Sequence, residues 1–82
     1  MTEDKFKSFL LSYFSERSGL NLNELHEEAD IFAEAYIDSL GVFGLVAEVE
    51  ENFSISLTEE DMLSEKFRSI GGLVELLSAK EA

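Results

Sequence analysis

An apolar stripe between positions 42 and 53 constrains this chain more than any other feature. Five apolar residues recur there at i, i+3, i+4, i+7 and i+11: Val42, Leu45, Val46, Val49 and Phe53. This spacing puts them on one side of an α-helix and matches no alternating strand. Asp38 and Ser39 precede the stripe, and both are residue types whose side-chain oxygen accepts a free backbone N–H at a helix start. We therefore predict a helix from about Ser39 to Asn52, and the simplest interpretation of Asp38-Ser39 is a helix cap.

Helical spacing continues on the N-terminal side of this stripe. A first helix over about residues 3–18 is predicted from an aromatic-rich set: Phe6, Phe9, Leu10, Tyr13 and Phe14. Arg17 suits the negative end of that helix, and Gly19 can supply the left-handed residue after it. A long connection over residues 20–36 follows, in which Asn23 could cap a short turn. Apolar residues in the connection are expected to anchor it to the core: Leu20, Leu22, Leu25, Ile31 and Phe32.

Two shorter helices are predicted after the stripe. Thr58 and Asp61 form a variant capping box, which predicts a short third helix through about Leu63 or Glu65. Ser69 can cap a fourth helix, whose apolar side holds five residues: Ile70, Leu73, Val74, Leu76 and Leu77. The sequence thus predicts an all-α fold, a small four-helix bundle with a long first loop and a short third helix, formed by residues 1–82 as one domain.

The composition narrows the class of function. A net charge of −12 opposes binding to nucleic acid and favours encounters with basic partner surfaces. No cysteine is present, which excludes disulfides and thiolate metal sites and is compatible with a reducing cytosol. The first residues lack the pattern of a signal peptide, and no apolar run has the length of a membrane span. We expect a cytoplasmic monomer without a resident metal.

The order of motifs along the chain resembles that of the acyl carrier protein family. Asp30-Ile31-Phe32 is followed by Tyr36-Ile37-Asp38-Ser39-Leu40, then by an acidic helix ending in Glu48-Val49-Glu50-Glu51-Asn52-Phe53, and then by a new helix start at Thr58. The resemblance covers nearly the whole chain. In the family, the serine of an Asp-Ser-Leu motif opens the second helix and carries a 4'-phosphopantetheine arm.

The resemblance implies a specific role for Ser39. A phosphopantetheinyl transferase would place the arm of coenzyme A on its hydroxyl, within the motif formed with Asp38 and Leu40. The arm's thiol would hold an acyl group as a thioester, so the protein would be a carrier and not an enzyme. A serine needs a positioned base to act as a nucleophile by itself. His26 lies in a polar loop, so a catalytic triad with Asp38 is not expected.

The same helix is expected to contact partner enzymes. Leu40, Phe43 and Ala47 lie off the core stripe at i, i+3 and i+7, and Glu48 and Glu51 run beside them. By resemblance, these residues would contact acyl-loading and acyl-processing enzymes with basic docking surfaces. A solvated helix face is the alternative.

Two further expectations concern cargo and pathway. By their family positions, four residues would line a seam between helices two and three that could receive an acyl chain: Val46, Phe53, Leu57 and Met62. Phe53 could fill that seam and leave little room for a long chain. Gly41 and Gly44 stand where fatty-acid carriers often have acids, and each glycine weakens the helix by about 1 kcal/mol. We interpret them as lost docking charge and looser first turns, which favours a specialised lipid, polyketide-like or aminoacyl pathway.

Two alternatives remain open. The chain could be a helical interaction module of the same fold that never carries an arm. It could also be a calcium-binding helical protein, although the acids of residues 24–30 lack the alternating ligand order and central glycine of an EF-hand.

Overall fold

The chain folds around its first helix, whose aromatic face forms the centre of the core. The structure is a computed structural model that describes residues 2–81, without the side chains of Thr2, Glu3 and Ser39. Four α-helices are present: α1 (Thr2–Ser18), α2 (Ser39–Phe53), α3 (Glu59–Leu63) and α4 (Ile70–Glu81). Two 3₁₀ turns, Leu22–Glu24 and Glu65–Arg68, lie between them. Within the described residues every regular element is helical, so the predicted all-α class is confirmed.

The core is built from α1, the connection before α2, α2, the link after it, the second 3₁₀ turn and α4, whereas α3 contributes no buried residue. Its most deeply buried side chains are Phe6, Leu10, Phe14, Ile31, Leu45, Val49, Phe67, Ile70, Leu73 and Leu77. The Cα radius of gyration is 11.5 Å, close to the roughly 12 Å expected for a compact domain of this length. This all-helical, compact arrangement is consistent with the predicted small bundle.

The helix boundaries agree with the sequence prediction to within one or two residues. The Thr58 hydroxyl accepts from the N–H of Asp61, and the Asp61 carboxylate accepts from the N–H of Thr58, which completes the predicted capping box of α3. The Ser69 hydroxyl likewise accepts from the N–H of Gly72 at the start of α4. The second 3₁₀ turn was not predicted; it buries Phe67 and separates α3 from α4.

The long connection between α1 and α2 is held in place at several points. Leu25 and Ile31 are buried as predicted, whereas Leu22 is 54% exposed and is not an anchor. The predicted cap by Asn23 is also wrong, because the first 3₁₀ turn begins one residue earlier and its preceding residue is Asn21. The reason is that the Glu24 carboxylate reaches back to the Asn21 N–H, 2.8 Å away.

Contacts with the second 3₁₀ turn and α4 fix the C-terminal half of this connection. The N–H of Ile31 donates to the carbonyl of Arg68 over 2.8 Å, and the Asp30 carboxylate pairs with the Arg68 guanidinium. The N–H groups of Ala33 and Phe32 and the charge of Arg68 hold the pKa of Asp30 below its usual value. Tyr36 and Ile37 are buried just before α2. The connection therefore delivers the start of α2 to a defined place.

Gly72 lies where α4 passes closest to the second 3₁₀ turn. A Cβ added at Gly72 would lie 2.3 Å from the carbonyl oxygen of Lys66, while one added at Gly71 would meet nothing nearer than the Glu27 carbonyl at 3.4 Å. The close approach at Gly72 therefore requires a residue without a side chain.

We predict that Gly72→Ala destabilises the protein by about 1–3 kcal/mol through overpacking, although alanine is the better helix former by about 1 kcal/mol. Gly71→Ala is the matched control, and it should leave the free energy of unfolding unchanged or raise it by up to about 1 kcal/mol. Urea unfolding of both variants measures the difference. A Gly72→Ala protein as stable as the wild type would show that the backbones do not approach this closely.

Candidate functional site

The start of α2 presents Asp38 and Ser39 at a defined helix end. Asp38 is the N-cap residue, with extended backbone angles (φ −111°, ψ 179°), and its Oδ1 accepts from the N–H of Gly41 over 2.7 Å. The predicted cap is therefore confirmed, and Asp38 is the residue that makes it. Ser39 is the first residue of α2; its side chain lies outside the described part of the structure.

Tyr13 of α1 ties the first turn of α2 to the core. Its hydroxyl donates to the carbonyl oxygen of Gly41 over 2.8 Å, and only 5% of its surface is exposed. Burial raises the pKa of the Tyr13 phenol, although the positive charge of nearby Arg17 opposes that shift. The buried hydrogen bond fixes how far Ser39 lies from α1, a role that the helical spacing of Tyr13 does not reveal.

Arg17 lies against the same turns of α2. Its guanidinium carbon is 5.0 Å from the centre of the Tyr13 ring, in a cation–π arrangement. Arg17 also lines a depression of about 340 Å³ together with Ala35, Tyr36, Ile37 and Asp38. This depression lies between the end of α1 and the start of α2. One of its lining residues, Asp38, directly precedes Ser39 in the sequence.

Gly44 leaves room for the side chains of Tyr13 and Arg17 from α1, and Gly41 leaves room for Ile37 of the preceding connection. A Cβ at Gly44 would lie 2.8 Å from the Tyr13 hydroxyl and 3.0 Å from a guanidinium nitrogen of Arg17, and one at Gly41 would lie 2.7 Å from Ile37 Cγ1. Both glycines are therefore packing positions, and the looser helical turns expected from them stay a prediction. Two glycines three residues apart lie on the same side of a helix. This spacing was the indication in the sequence that other side chains pack closely against that side.

The outer face of α2 is exposed over its whole length. Leu40 and Phe43 are 79% and 72% exposed, and Ala47, Glu48 and Glu51 are exposed as well. Two leucines outside this face, Leu22 and Leu63, are also 54% and 80% exposed, so exposure alone does not distinguish the face. The face thus combines apolar side chains with carboxylates.

The four residues predicted to line a cargo seam have different surroundings. Leu57 is buried, and Val46 and Met62 are half-buried against the core. Phe53 packs edge-on against two rings of α1, with centroid distances of 4.9 Å to Phe6 and 5.2 Å to Phe9. The Phe53 ring therefore packs against α1. Its position in the sequence had suggested a place in the seam between α2 and α3.

Comparison with known proteins identifies the class of this site. A family model described as a phosphopantetheine attachment site matches residues 8–77, which include α2 and its N-terminal cap. The chain belongs to this family of carrier domains. It is similar to an acyl carrier protein of Chlamydia caviae, with 25% identity over 79 residues that cover 96% of this chain and 95% of the relative.

Family membership defines the cofactor and the general class. The cofactor is covalently attached 4'-phosphopantetheine, and members of the acyl carrier protein family are carriers rather than enzymes. The capped helix start and the adjoining depression with its cation fit the phosphate end of such a group. None of the helices within residues 2–81 has the length and apolarity that crossing a membrane requires.

We predict that Tyr13→Phe lowers the free energy of unfolding by about 0.5–1.5 kcal/mol, the usual contribution of one hydrogen bond. The contribution should depend on pH. Burial raises the folded-state pKa of Tyr13 above its ordinary value of 10.0. The hydrogen bond therefore stabilises the protein fully below that pH, and its contribution is lost as the pH rises through the folded-state pKa.

Urea unfolding of wild type and Tyr13→Phe across the alkaline range measures this difference. Tyr36→Phe is the control, because the Tyr36 hydroxyl accepts from the N–H of His26 and makes no bond to α2. An equal stability difference between wild type and Tyr13→Phe at neutral and strongly alkaline pH would contradict the assignment.

Proposed function

We propose that this protein carries acyl intermediates as thioesters on a 4'-phosphopantetheine arm attached to Ser39, and presents them to partner enzymes. The observation that carries the proposal is the position of Asp38-Ser39-Leu40 at the capped start of α2, within the region matched by the family model. The Asp38 cap and the Tyr13 bond hold the backbone of the motif. A transferase would therefore meet the serine at a fixed place.

Attachment of the arm balances as a simple transfer from coenzyme A. The Ser39 hydroxyl oxygen forms a bond to the phosphorus that bears the pantetheine, the pyrophosphate linkage breaks, and 3',5'-adenosine bisphosphate leaves. The hydroxyl proton passes to a base of the transferase, since a serine needs a positioned base and an oxygen of the neighbouring Asp38 carboxylate is engaged with the Gly41 N–H. The group then supplies a thiol that forms the thioester with the cargo.

We propose that the exposed face of α2 is the docking surface for the transferase and the acyl enzymes. Leu40, Phe43 and Ala47 offer an apolar strip, and Glu48 and Glu51 offer negative charge. Surfaces of this kind suit brief encounters with a partner that is basic and partly apolar, because charge steers the approach and apolar contact completes it. The net charge of −12 acts in the same direction.

We further propose a specialised lipid, polyketide-like or aminoacyl pathway for this carrier. Gly41 and Gly44 leave the first turns of α2 without the acids expected in fatty-acid carriers, and a side chain at either position would require Tyr13, Arg17 or Ile37 to shift. A cargo folded back onto the protein would contact Val46, Leu57 and Met62. Phe53 would first have to leave its contacts with α1.

The first experiment tests the attachment site. Wild type and Ser39→Ala are incubated with a promiscuous phosphopantetheinyl transferase and coenzyme A and then weighed by intact-protein mass spectrometry. We expect wild type to gain one phosphopantetheine and Ser39→Ala to gain none while it remains folded by circular dichroism. Because Asp38 makes the cap, the substitution should cost less than the roughly 0.5–2 kcal/mol of a lost cap. Labelling of Ser39→Ala would refute the site.

The second experiment tests the docking surface. Reversal of two charges in Glu48→Lys/Glu51→Lys should slow association with the transferase, most at low salt, because exposed charges act over a Debye length that salt shortens. Glu28→Lys/Glu65→Lys makes the same change in net charge at exposed positions outside α2. Equal slowing of both double variants would show that net charge matters and that the α2 face does not.

A further inference from the structure

Arg17 differs from every other basic side chain of the protein. The chain has six Lys and Arg residues, all within the described part, and five of them pair with a carboxylate: Lys5, Lys7, Lys66, Arg68 and Lys80. Among the described residues Arg17 makes no such pair, although carboxylates outnumber cations threefold. In so acidic a protein, a cation left without a carboxylate is available to an anion from outside.

The surroundings of Arg17 place that cation beside the attachment motif. Its guanidinium lies over the Tyr13 ring and against the backbone of α2 at Gly44. Arg17 is exposed to solvent, and its neighbour Tyr13 is fixed by its bond to Gly41. Arg17 and Asp38 then line the same depression of about 340 Å³, and Asp38 directly precedes Ser39.

A phosphodiester at this place would need a positive charge close by. The Asp38 carboxylate lines the depression and would repel it, even though one of its oxygens is engaged with the Gly41 N–H. A guanidinium binds phosphate oxygens through two parallel N–H donors, which a lysine ammonium does not reproduce. Arg17 is the cation of this depression.

We propose that Arg17 binds the phosphodiester of the arm on Ser39 and holds the first part of the arm at the depression between α1 and α2. The inference rests on the proposed attachment at Ser39 and adds a residue from α1 to the cofactor site. Arg17 thereby acts as a positioning residue. By holding the phosphodiester, Arg17 orients the arm where the arm leaves the protein surface.

The test compares the apo and holo forms of the wild-type protein, with complete modification established by mass spectrometry. The chain has two arginines, Arg17 and Arg68, so each side-chain Nε–H can be followed by NMR. We expect the Arg17 Nε–H resonance to shift on modification. The Arg68 resonance should stay in place, because Arg68 Nε donates to Asp30 in the connection between α1 and α2.

A second measurement uses melting temperatures. The holo form of wild type should melt above the apo form by about 1–8 °C, the range expected from one exposed ion pair in a domain of this size. Arg17→Gln should lose most of this gain and Arg17→Lys should keep part of it. Lys66→Gln, which removes the same charge from an exposed pair with Glu75, should keep all of it.

The outcomes separate the two proposals. If mass spectrometry shows that wild type accepts no arm, the proposed function fails and the inference fails with it. If modification is complete but the Arg17 resonance does not shift, or shifts no more than that of Arg68, the inference alone is overturned. An equal holo-minus-apo gain in Arg17→Gln and Lys66→Gln would overturn it as well.

Discussion

The buried hydrogen bond between α1 and the first turn of α2 is the interaction on which the geometry at the start of α2 depends. The Tyr13 hydroxyl donates to the Gly41 carbonyl, and Gly44 has no side chain that would displace the ends of Tyr13 and Arg17. A Cβ added at Gly44 would displace the Tyr13 ring, which is already buried. The position of Asp38 and Ser39 therefore depends in part on this contact with α1.

The long connection contributes to the same result from its other side. Backbone bonds join it to the second 3₁₀ turn and to α4, and Asp30 pairs with Arg68. Such anchoring reduces the freedom of a segment that would otherwise be mobile. The start of α2 is thus held by two independent sets of contacts, one through Tyr13 and one through the buried residues Tyr36 and Ile37. The proposed attachment at Ser39 would use this rigidity, because each partner enzyme would have to find the same serine.

The two faces of α2 have separate tasks. The inner face buries Leu45 and Val49 and supplies stability, whereas the outer face leaves Leu40 and Phe43 in solvent beside carboxylates. Exposed apolar side chains contribute nothing to the stability of the isolated domain, and they raise its risk of association. Their presence supports the proposed docking surface, in which the negative charge around them would steer the approach of a basic partner.

The sequence by itself determined the helices and the motif, because helical spacing and cap residues act over three or four positions. The stripe from Val42 to Phe53, the capping box of Thr58 and Asp61, and the cap at Asp38 were all predictable in this way. Only the tertiary structure decided which residues from different helices meet at the site. Tyr13 and Arg17 of α1 lie next to Gly41 and Gly44 of α2 because of how the core packs. No local sequence pattern specifies which residues far apart in the chain make such a contact.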